Sequence, residues 1–174
     1  MSCPLPESLD VYRLARERSG LTGDLAVRSM PRLAEMVLAS NEFASVSLNF
    51  AMEEGSGLCR ITGRVACGVT LRCQRCLEPV EVGVESVIDL VAVRDDREAG
   101  RLMSDGEPLL TADGVVVTAE LVEDELILAL PVVALHTSGA ECGKLARRVE
   151  ESRPTEEPAR KNPFAVLAEL KRNK

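Results

Sequence analysis

The chain has 174 residues, of which 45% are hydrophobic and 2% aromatic, and its formal net charge is −7. This length suits one domain with a tail, and the core must be built from aliphatic side chains. An acidic surface repels a phosphate backbone, which excludes a domain that coats RNA broadly. The scarcity of aromatic residues also argues against a stacking platform for single-stranded RNA. Any RNA contact would have to be local, or made through a protein partner.

No apolar run approaches the roughly 20 residues that a membrane-spanning helix needs. The first residues contain no basic region followed by an apolar stretch, so a signal peptide is not expected. Six cysteines without an export signal predict reduced thiols and not a disulfide framework. We therefore expect a cytoplasmic protein that has no membrane contact.

The first forty residues predict two short helices with a strand between them. Residues 10–19 form the first helix, with Asp10 as its N-cap and Gly20 ending it in a left-handed conformation. A short strand lies within 21–28. The second helix covers 31–38 and begins at a proline, which suits the first turn of a helix.

Alternation of apolar and polar residues predicts a β-hairpin at the centre of the chain. The pattern runs through 45–52, is interrupted by the turn Gly55-Ser56-Gly57, and continues through 59–71 and from 80 to about 93. Residues 73–79 interrupt it between the last two strands. They therefore form the tip of a long hairpin.

The region after the hairpin predicts a polar connection, a strand and a helix. Residues 94–113 are acidic and polar, and 115–117 form a short strand. Thr118 caps a helix over 119–130, which Pro131 ends. The fold class expected is α+β: an antiparallel, strongly twisted β-sheet with a long central hairpin, flanked by short helices, plus a tethered C-terminal helix.

Composition divides the chain into three parts. Residues 1–148 form a single α+β domain, 149–161 an acidic, proline-rich linker and 162–174 a basic amphipathic helix. The helix is expected to bind a protein partner through residues with apolar or basic side chains. These are Phe164, Leu167, Leu170, Lys171 and Arg172. The alternative is that this helix packs back on the domain.

The pair Cys73/Cys76 at the hairpin tip is the most distinctive constellation. Two thiolates separated by two residues in a tight turn can bind one tetrahedral zinc ion. His136 and Cys142 could complete the site if the loop after Pro131 folds back onto the tip. The alternative is a pair of free cysteines in a turn.

A redox role for this pair is less favoured. A reactive Cys-x-x-Cys motif gains from a helix N-terminus that lowers the thiol pKa, and here a strand follows. Arg72 and Arg75 could still lower it somewhat. Cys59 and Cys67 fall on the apolar face of their strand and are expected to be buried small hydrophobic residues.

Four acidic residues on the helix predicted at 119–130 form a second candidate cluster. Glu120, Glu123, Asp124 and Glu125 could, with His136, build the site of a metal-dependent nuclease. The alternative is that Glu120 and Glu123 complement the helix dipole while the other two are solvated. No catalytic triad, phosphate-binding loop or nucleotide fingerprint is present.

Three stretches resemble the large ribosomal RNA subunit accumulation proteins, the YceD family: 71–79 around the cysteine pair, 121–136 and 161–171. The resemblance implies a non-enzymatic role in 23S rRNA synthesis, processing or stability and in large-subunit biogenesis. The partners expected are ribosome assembly components or rRNA-processing proteins. Two alternatives remain: an rRNA-processing nuclease that uses the acidic cluster, and a zinc-stabilised binding module that uses the hairpin tip.

Overall fold

The structure is a computed structural model of the chain, and it describes residues 5–102, 106–111, 113–138 and 142–143. The predicted linker (149–161) and C-terminal helix (162–174) lie outside the described residues. Among the described residues, no helix is both long enough and apolar enough to cross a membrane.

The fold is a mixed α+β arrangement around a six-stranded, mostly antiparallel sheet, as predicted. The strands are β1 (Ser8–Asp10), β2 (Gly20–Ala26), β3 (Ala39–Ser40), β4 (Phe43–Met52), β5 (Cys59–Arg72), β6 (Pro79–Val93), β7 (Glu107–Leu110) and β8 (Val115–Val117). The helices are α1 (Val11–Arg16), α2 (Pro31–Met36), α3 (Asp96–Ala99) and α4 (Thr118–Ala129), with a 3-10 turn at Val27–Ser29. The main sheet has the order β2-β4-β5-β6-β7, and β3 pairs with β5. Strands β1 and β8 pair separately.

The long hairpin of β5 and β6 forms the centre of the sheet. Its register runs without a break from Cys59 opposite Ala92 to Arg72 opposite Pro79. Alternate residues of β5 are buried, as the sequence pattern predicts, because successive side chains point to opposite faces of a strand. The hairpin therefore fixes the position of its tip, whose cysteines belong to the same hydrophobic cluster as the strands.

Helices α1 and α4 cover the inner face of the sheet. The side chain of Asp10 accepts a hydrogen bond from the backbone N–H of Arg13 (2.9 Å), which confirms it as the N-cap of α1. Helix α4 buries Leu121, Val122 and Leu126 against the aliphatic core. This packing places the C-terminal end of α4, and the loop that follows it, beside the hairpin.

Two predicted helix boundaries are wrong. Gly20 does not end α1 in a left-handed conformation: it starts β2, and the residue with positive φ is Arg18 (49°). Thr118 is the first residue of α4 and does not cap it through its side chain. Its hydroxyl instead donates to the carbonyl oxygen of Pro6 (2.5 Å), which ties the helix to the β1 side of the fold.

The polar connection 94–113 contains structure that the sequence pattern did not predict. Helix α3 starts after Asp95, whose carboxylate accepts hydrogen bonds from two backbone N–H groups, and β7 then pairs with β6 in parallel. This parallel pair is the exception in the described sheet, whose other pairs are antiparallel as expected. A parallel neighbour needs a crossover connection, and the residues that form it are the ones whose polarity indicated a loop.

Candidate metal centre at the hairpin tip

The turn between β5 and β6 is closed by two backbone hydrogen bonds. The N–H of Cys73 donates to the carbonyl of Glu78 (2.9 Å), and the N–H of Leu77 donates to the carbonyl of Cys73 (2.8 Å). Leu77 has a φ of 64°, a left-handed conformation that reverses the chain within a few residues. The turn leaves both Cys73 and Cys76 buried. It is the compact turn that the Cys-x-x-Cys spacing predicts.

The loop after α4 folds back onto this tip through Gln74. The backbone N–H of Gln74 donates to the carbonyl of Ala134 (2.9 Å), and its side-chain amide donates to the carbonyl of Val132 (3.1 Å). This docking brings His136 and Cys142 against the cysteine pair. The condition that the sequence could not establish, a loop that returns to the hairpin, is therefore met.

Four residues converge at the tip: Cys73, Cys76, His136 and Cys142. One ligand atom from each lies within 4.8 Å of all the others, so the group can hold a metal ion. Nδ1 of His136 is 3.5 Å from Sγ of Cys76 and 3.7 Å from Sγ of Cys142. Zinc–ligand bonds of about 2.3 Å to sulfur and about 2.0 Å to nitrogen give a tetrahedral S···N edge of about 3.5 Å. The two measured S···N distances thus fit two edges of a tetrahedral S₃N centre.

A hydrogen bond outside the cluster orients the histidine ring. Nε2 of His136 lies 3.1 Å from the carbonyl oxygen of Pro79, which can only accept, so this nitrogen carries the proton. In the neutral ring this leaves Nδ1 as an acceptor, and Nδ1 faces the sulfur atoms of Cys76 and Cys142. Histidine ligands of metals are usually held by a second hydrogen bond of this kind. No sequence pattern indicated the role of Pro79, which acts through its backbone carbonyl.

The electrostatics of the cluster favour a bound cation. Burial disfavours the thiolate of Cys73, but hydrogen bonds from the backbone N–H groups of Cys76, His136 and Arg75 oppose this and lower the pKa of that thiol to about 5. Burial, and then the neighbouring thiols, raise the pKa of Cys142. Several thiolates in one buried place repel one another, and a divalent cation relieves that repulsion. The lowered pKa comes from backbone N–H groups, where the sequence had suggested arginine side chains.

The other described cysteines lie away from the cluster. Cys59 and Cys67 are buried in the apolar core, as predicted. Burial raises the pKa of Cys59 to about 11, and its thiol donates to the carbonyl of Val11 (3.4 Å). Both side chains act as small hydrophobic residues of β5.

The acidic residues of α4 are dispersed among separate partners. Glu123 is buried and accepts hydrogen bonds from Nε of Arg32 (2.9 Å) and the backbone N–H of Leu33 (3.0 Å). Asp124 pairs with the same arginine (2.7 Å). Glu125 is also buried and accepts a hydrogen bond from Ser86 (2.8 Å).

These contacts correct both interpretations of the acidic cluster. Only Glu120 remains an exposed acidic residue in the first turn of α4, while Glu123 and Glu125 hold the helix to its neighbours. Among the described residues, the cysteine–histidine group is the one set of three or more potential ligands that lie close enough to hold a metal ion. The carboxylates do not assemble the site that a metal-dependent nuclease would need. The predicted partner-binding residues, Phe164 to Arg172, lie outside the described residues.

Comparison with known proteins places the chain in a family. The profile of the family "Large ribosomal RNA subunit accumulation protein YceD" matches residues 61–171. The chain belongs to the YceD family. The "Large ribosomal RNA subunit accumulation protein YceD" of Haemophilus influenzae is 37% identical over 169 residues, which cover 96% of this chain and 96% of that protein. The YceD match includes the hairpin tip, all four converging residues and most of the C-terminal segment. No solved structure gives a significant match.

Proposed function

We propose that this protein is a non-enzymatic factor in 23S rRNA synthesis, processing or stability, and so in the biogenesis of the large ribosomal subunit. The observation that carries the proposal is the 37% identity, over 96% of both chains, to a protein named for large ribosomal RNA subunit accumulation. A cytoplasmic location follows from this role, because ribosomes are assembled there.

A non-enzymatic role is supported by how the chain uses its acidic residues. The carboxylates of Glu123 and Asp124 are both paired with Arg32, and that of Glu125 with Ser86. Side chains held in such contacts stabilise the fold and are not free to position a water molecule or a phosphate. These contacts support a protein that acts by binding.

We also propose that the hairpin tip binds one structural zinc ion through Cys73, Cys76, His136 and Cys142. Three sulfurs and one imidazole nitrogen are ligands that zinc prefers, and four protein ligands make a closed, structural site. The S···N distances of 3.5 and 3.7 Å and the hydrogen bond from His136 to Pro79 support this assignment. The ion would fasten the loop after α4 to the tip and make the two segments one rigid surface.

The partners proposed are ribosome assembly components or rRNA-processing proteins. The C-terminal segment supports this idea, because residues 160–174 contain five basic residues and one acidic residue while the whole chain carries −7. Phe164, Leu167 and Leu170 would supply the apolar contact with a protein partner, and Lys171 and Arg172 a local contact with RNA or acidic groups.

Complementation of a strain that lacks the protein tests the rRNA role. Full-length protein should restore the ratio of mature large-subunit to small-subunit rRNA, and a chain without residues 159–174 should not. The Phe164→Ser/Leu167→Ser variant separates the apolar contact from the basic one. Normal ribosomal subunit profiles in the strain that lacks the protein would overturn the rRNA role.

Metal analysis of untagged protein tests the zinc site. We expect about one zinc per chain, lost in Cys73→Ser and retained in Cys67→Ser, the same substitution at a buried cysteine outside the cluster. A native protein whose Cys73 and Cys76 react freely with a thiol reagent would contradict a closed site.

A further inference from the structure

The hairpin tip carries an exposed apolar surface next to the metal centre. Leu77 is 54% exposed, Val132 93%, Val133 54% and Leu135 41%, and we call these four residues the tip patch. Single exposed apolar residues are ordinary, but a group of them on adjoining segments indicates a binding surface. The patch lies on both segments that the candidate metal centre joins.

The loop that carries most of this patch is held in place by its backbone. Gln74 donates hydrogen bonds to the carbonyl groups of Val132 and Ala134. His136 makes a hydrogen bond with the carbonyl of Pro79. Between the two anchor points only Ala134 is buried, so the three larger apolar side chains around it are left on the surface. Hydrogen bonds thus fix an arrangement that apolar burial alone would not favour. The unfavourable exposure of these side chains to water is removed when another apolar surface covers the patch.

The described chain ends at this place. A Cβ atom added to Gly143 would collide with the carboxylate of Glu78, so the end of the described chain lies directly against the hairpin tip. Nineteen residues lie between Gly143 and Pro163, and a random coil of that length has a mean end-to-end distance of about 25 Å. The apolar segment 163–170 therefore starts within reach of the tip patch.

The chemistry of that segment complements the patch. In a helix, Phe164, Leu167 and Leu170 would lie on one side, because residues three apart are neighbours on a helix surface. Charge favours contact of the tail with the rest of the chain in general: residues 160–174 carry a net charge of +4 and residues 1–159 a net charge of −11.

We propose that residues 163–170 dock on the tip patch of their own chain. A short tether gives an effective concentration of about 1 mM. An interaction with a dissociation constant of only about 0.1 mM would then be occupied about nine-tenths of the time. The occupant is the chain's own tail, and the contact closes without a second molecule.

When docked, the tail and the tip patch each cover the other's apolar side chains and keep them from other partners. A partner that binds Phe164, Leu167 and Leu170 must first release them from the tip, and release exposes Val132 and Val133 for a second contact. This regulatory consequence rests on the proposed function, since it needs a partner for the tail. The docking itself does not.

Hydrogen exchange of the purified full-length protein, followed by mass spectrometry, tests the docking. The backbone amides of residues 165–170 should exchange about tenfold more slowly than in a synthetic peptide of residues 162–174. Val132→Asp should return them to the rate of the peptide. The matched control is Val87→Asp, an equally simple change at a residue that is 67% exposed on β6. Val87 lies eight residues from Pro79, about 26 Å along the strand, and its substitution should leave the protection unchanged.

Three outcomes would overturn the proposal. The first is exchange at the rate of the free peptide in the unaltered protein. The second is protection that survives Val132→Asp. The third is protection that disappears on tenfold dilution, which would assign the contact to a second copy of the chain. None of these measurements involves rRNA, so a failure here leaves the proposed function to its own test.

Discussion

Two clusters of potential metal ligands stand out in this sequence, and the fold treats them in opposite ways. The cysteine–histidine group comes from two segments about sixty residues apart, and its four ligand atoms lie within 4.8 Å of one another. The four acidic residues lie within six positions of α4, yet the carboxylates of Glu123 and Glu125 accept hydrogen bonds from Arg32, Leu33 and Ser86. Closeness along the chain was therefore a poor guide to a shared site.

The difference lies in what surrounds each group. Residues in successive positions of a helix point in different directions, so Glu123 and Glu125 face different neighbours. A tight turn, by contrast, aims Cys73 and Cys76 to the same side, and a docked loop supplies the rest. The acidic residues hold α4 against α2 and the sheet. The ligand atoms of the cysteine–histidine group instead face one another.

The largest effect should come from removing a thiol of the candidate metal centre. Cys76→Ser should abolish the bound zinc and lower the melting temperature by about 10 °C, because the binding free energy of a structural zinc contributes to folding. Metal analysis and calorimetry measure both. Cys67→Ser, in the same sheet, should keep its zinc. Equal losses in the two variants would show that the metal does not hold the tip.

Removal of the central carboxylate of α4 should have a smaller effect, on stability alone. Glu123→Ala leaves the buried backbone N–H of Leu33 without its acceptor and leaves Arg32 paired with Asp124 alone, at a cost of about 2 kcal/mol. Glu120→Ala, at the exposed first turn of the same helix, should cost less than about 1 kcal/mol. Denaturant unfolding measures both values. A variant at either position with less zinc would mean that the two clusters are linked.

The hydrogen bond between Ser86 and Glu125 should contribute about 1 kcal/mol. Ser86→Ala removes the donor and leaves a buried carboxylate with one partner fewer. The matched control is Ser45→Ala, where the hydroxyl makes only a long contact of 3.4 Å with the carbonyl of Ala66. If the two substitutions change the free energy of unfolding equally, Glu125 is not held by Ser86.

The smallest effect should appear on acidification, at ion pairs on the exposed side of the hairpin. Hydrogen bonds from Arg60 lower the pKa of both Glu53 and Asp89. A carboxylate with a lowered pKa stabilises the fold above its unfolded pKa, and that stabilisation is lost as the pH falls through the folded value. The window therefore lies below about pH 4.

Arg60→Gln should flatten the dependence of the unfolding free energy on pH in this window by less than about 1 kcal/mol, because both carboxylates are partly exposed. Arg64→Gln removes a more exposed pair on the same hairpin and is the control. Unfolding measured between pH 5 and pH 2 separates them. A steeper acid dependence in Arg60→Gln would contradict the assigned sign.

Local patterns were sufficient where the environment of a residue is set by its neighbours in sequence. The alternation in 59–71 predicted the buried face of β5, and Asp10 predicted the start of α1. Patterns failed where a distant segment decides. Strand β7 is only four residues long and contains Pro108, and only its pairing with β6 makes it a strand. Thr118 has the sequence context of an N-cap, but its hydroxyl donates a hydrogen bond to the carbonyl of Pro6.

The sequence by itself determined the long hairpin, the position of Cys73 and Cys76 at its tip, and the membership of the YceD family. Each rests on residue types in a fixed local order. Only the tertiary structure decided that His136 and Cys142 join the tip while the carboxylates of α4 do not. The reason is physical: a set of ligands exists only where side chains from separate segments converge, and that convergence depends on backbone hydrogen bonds, such as those of Gln74, that leave no pattern in the sequence.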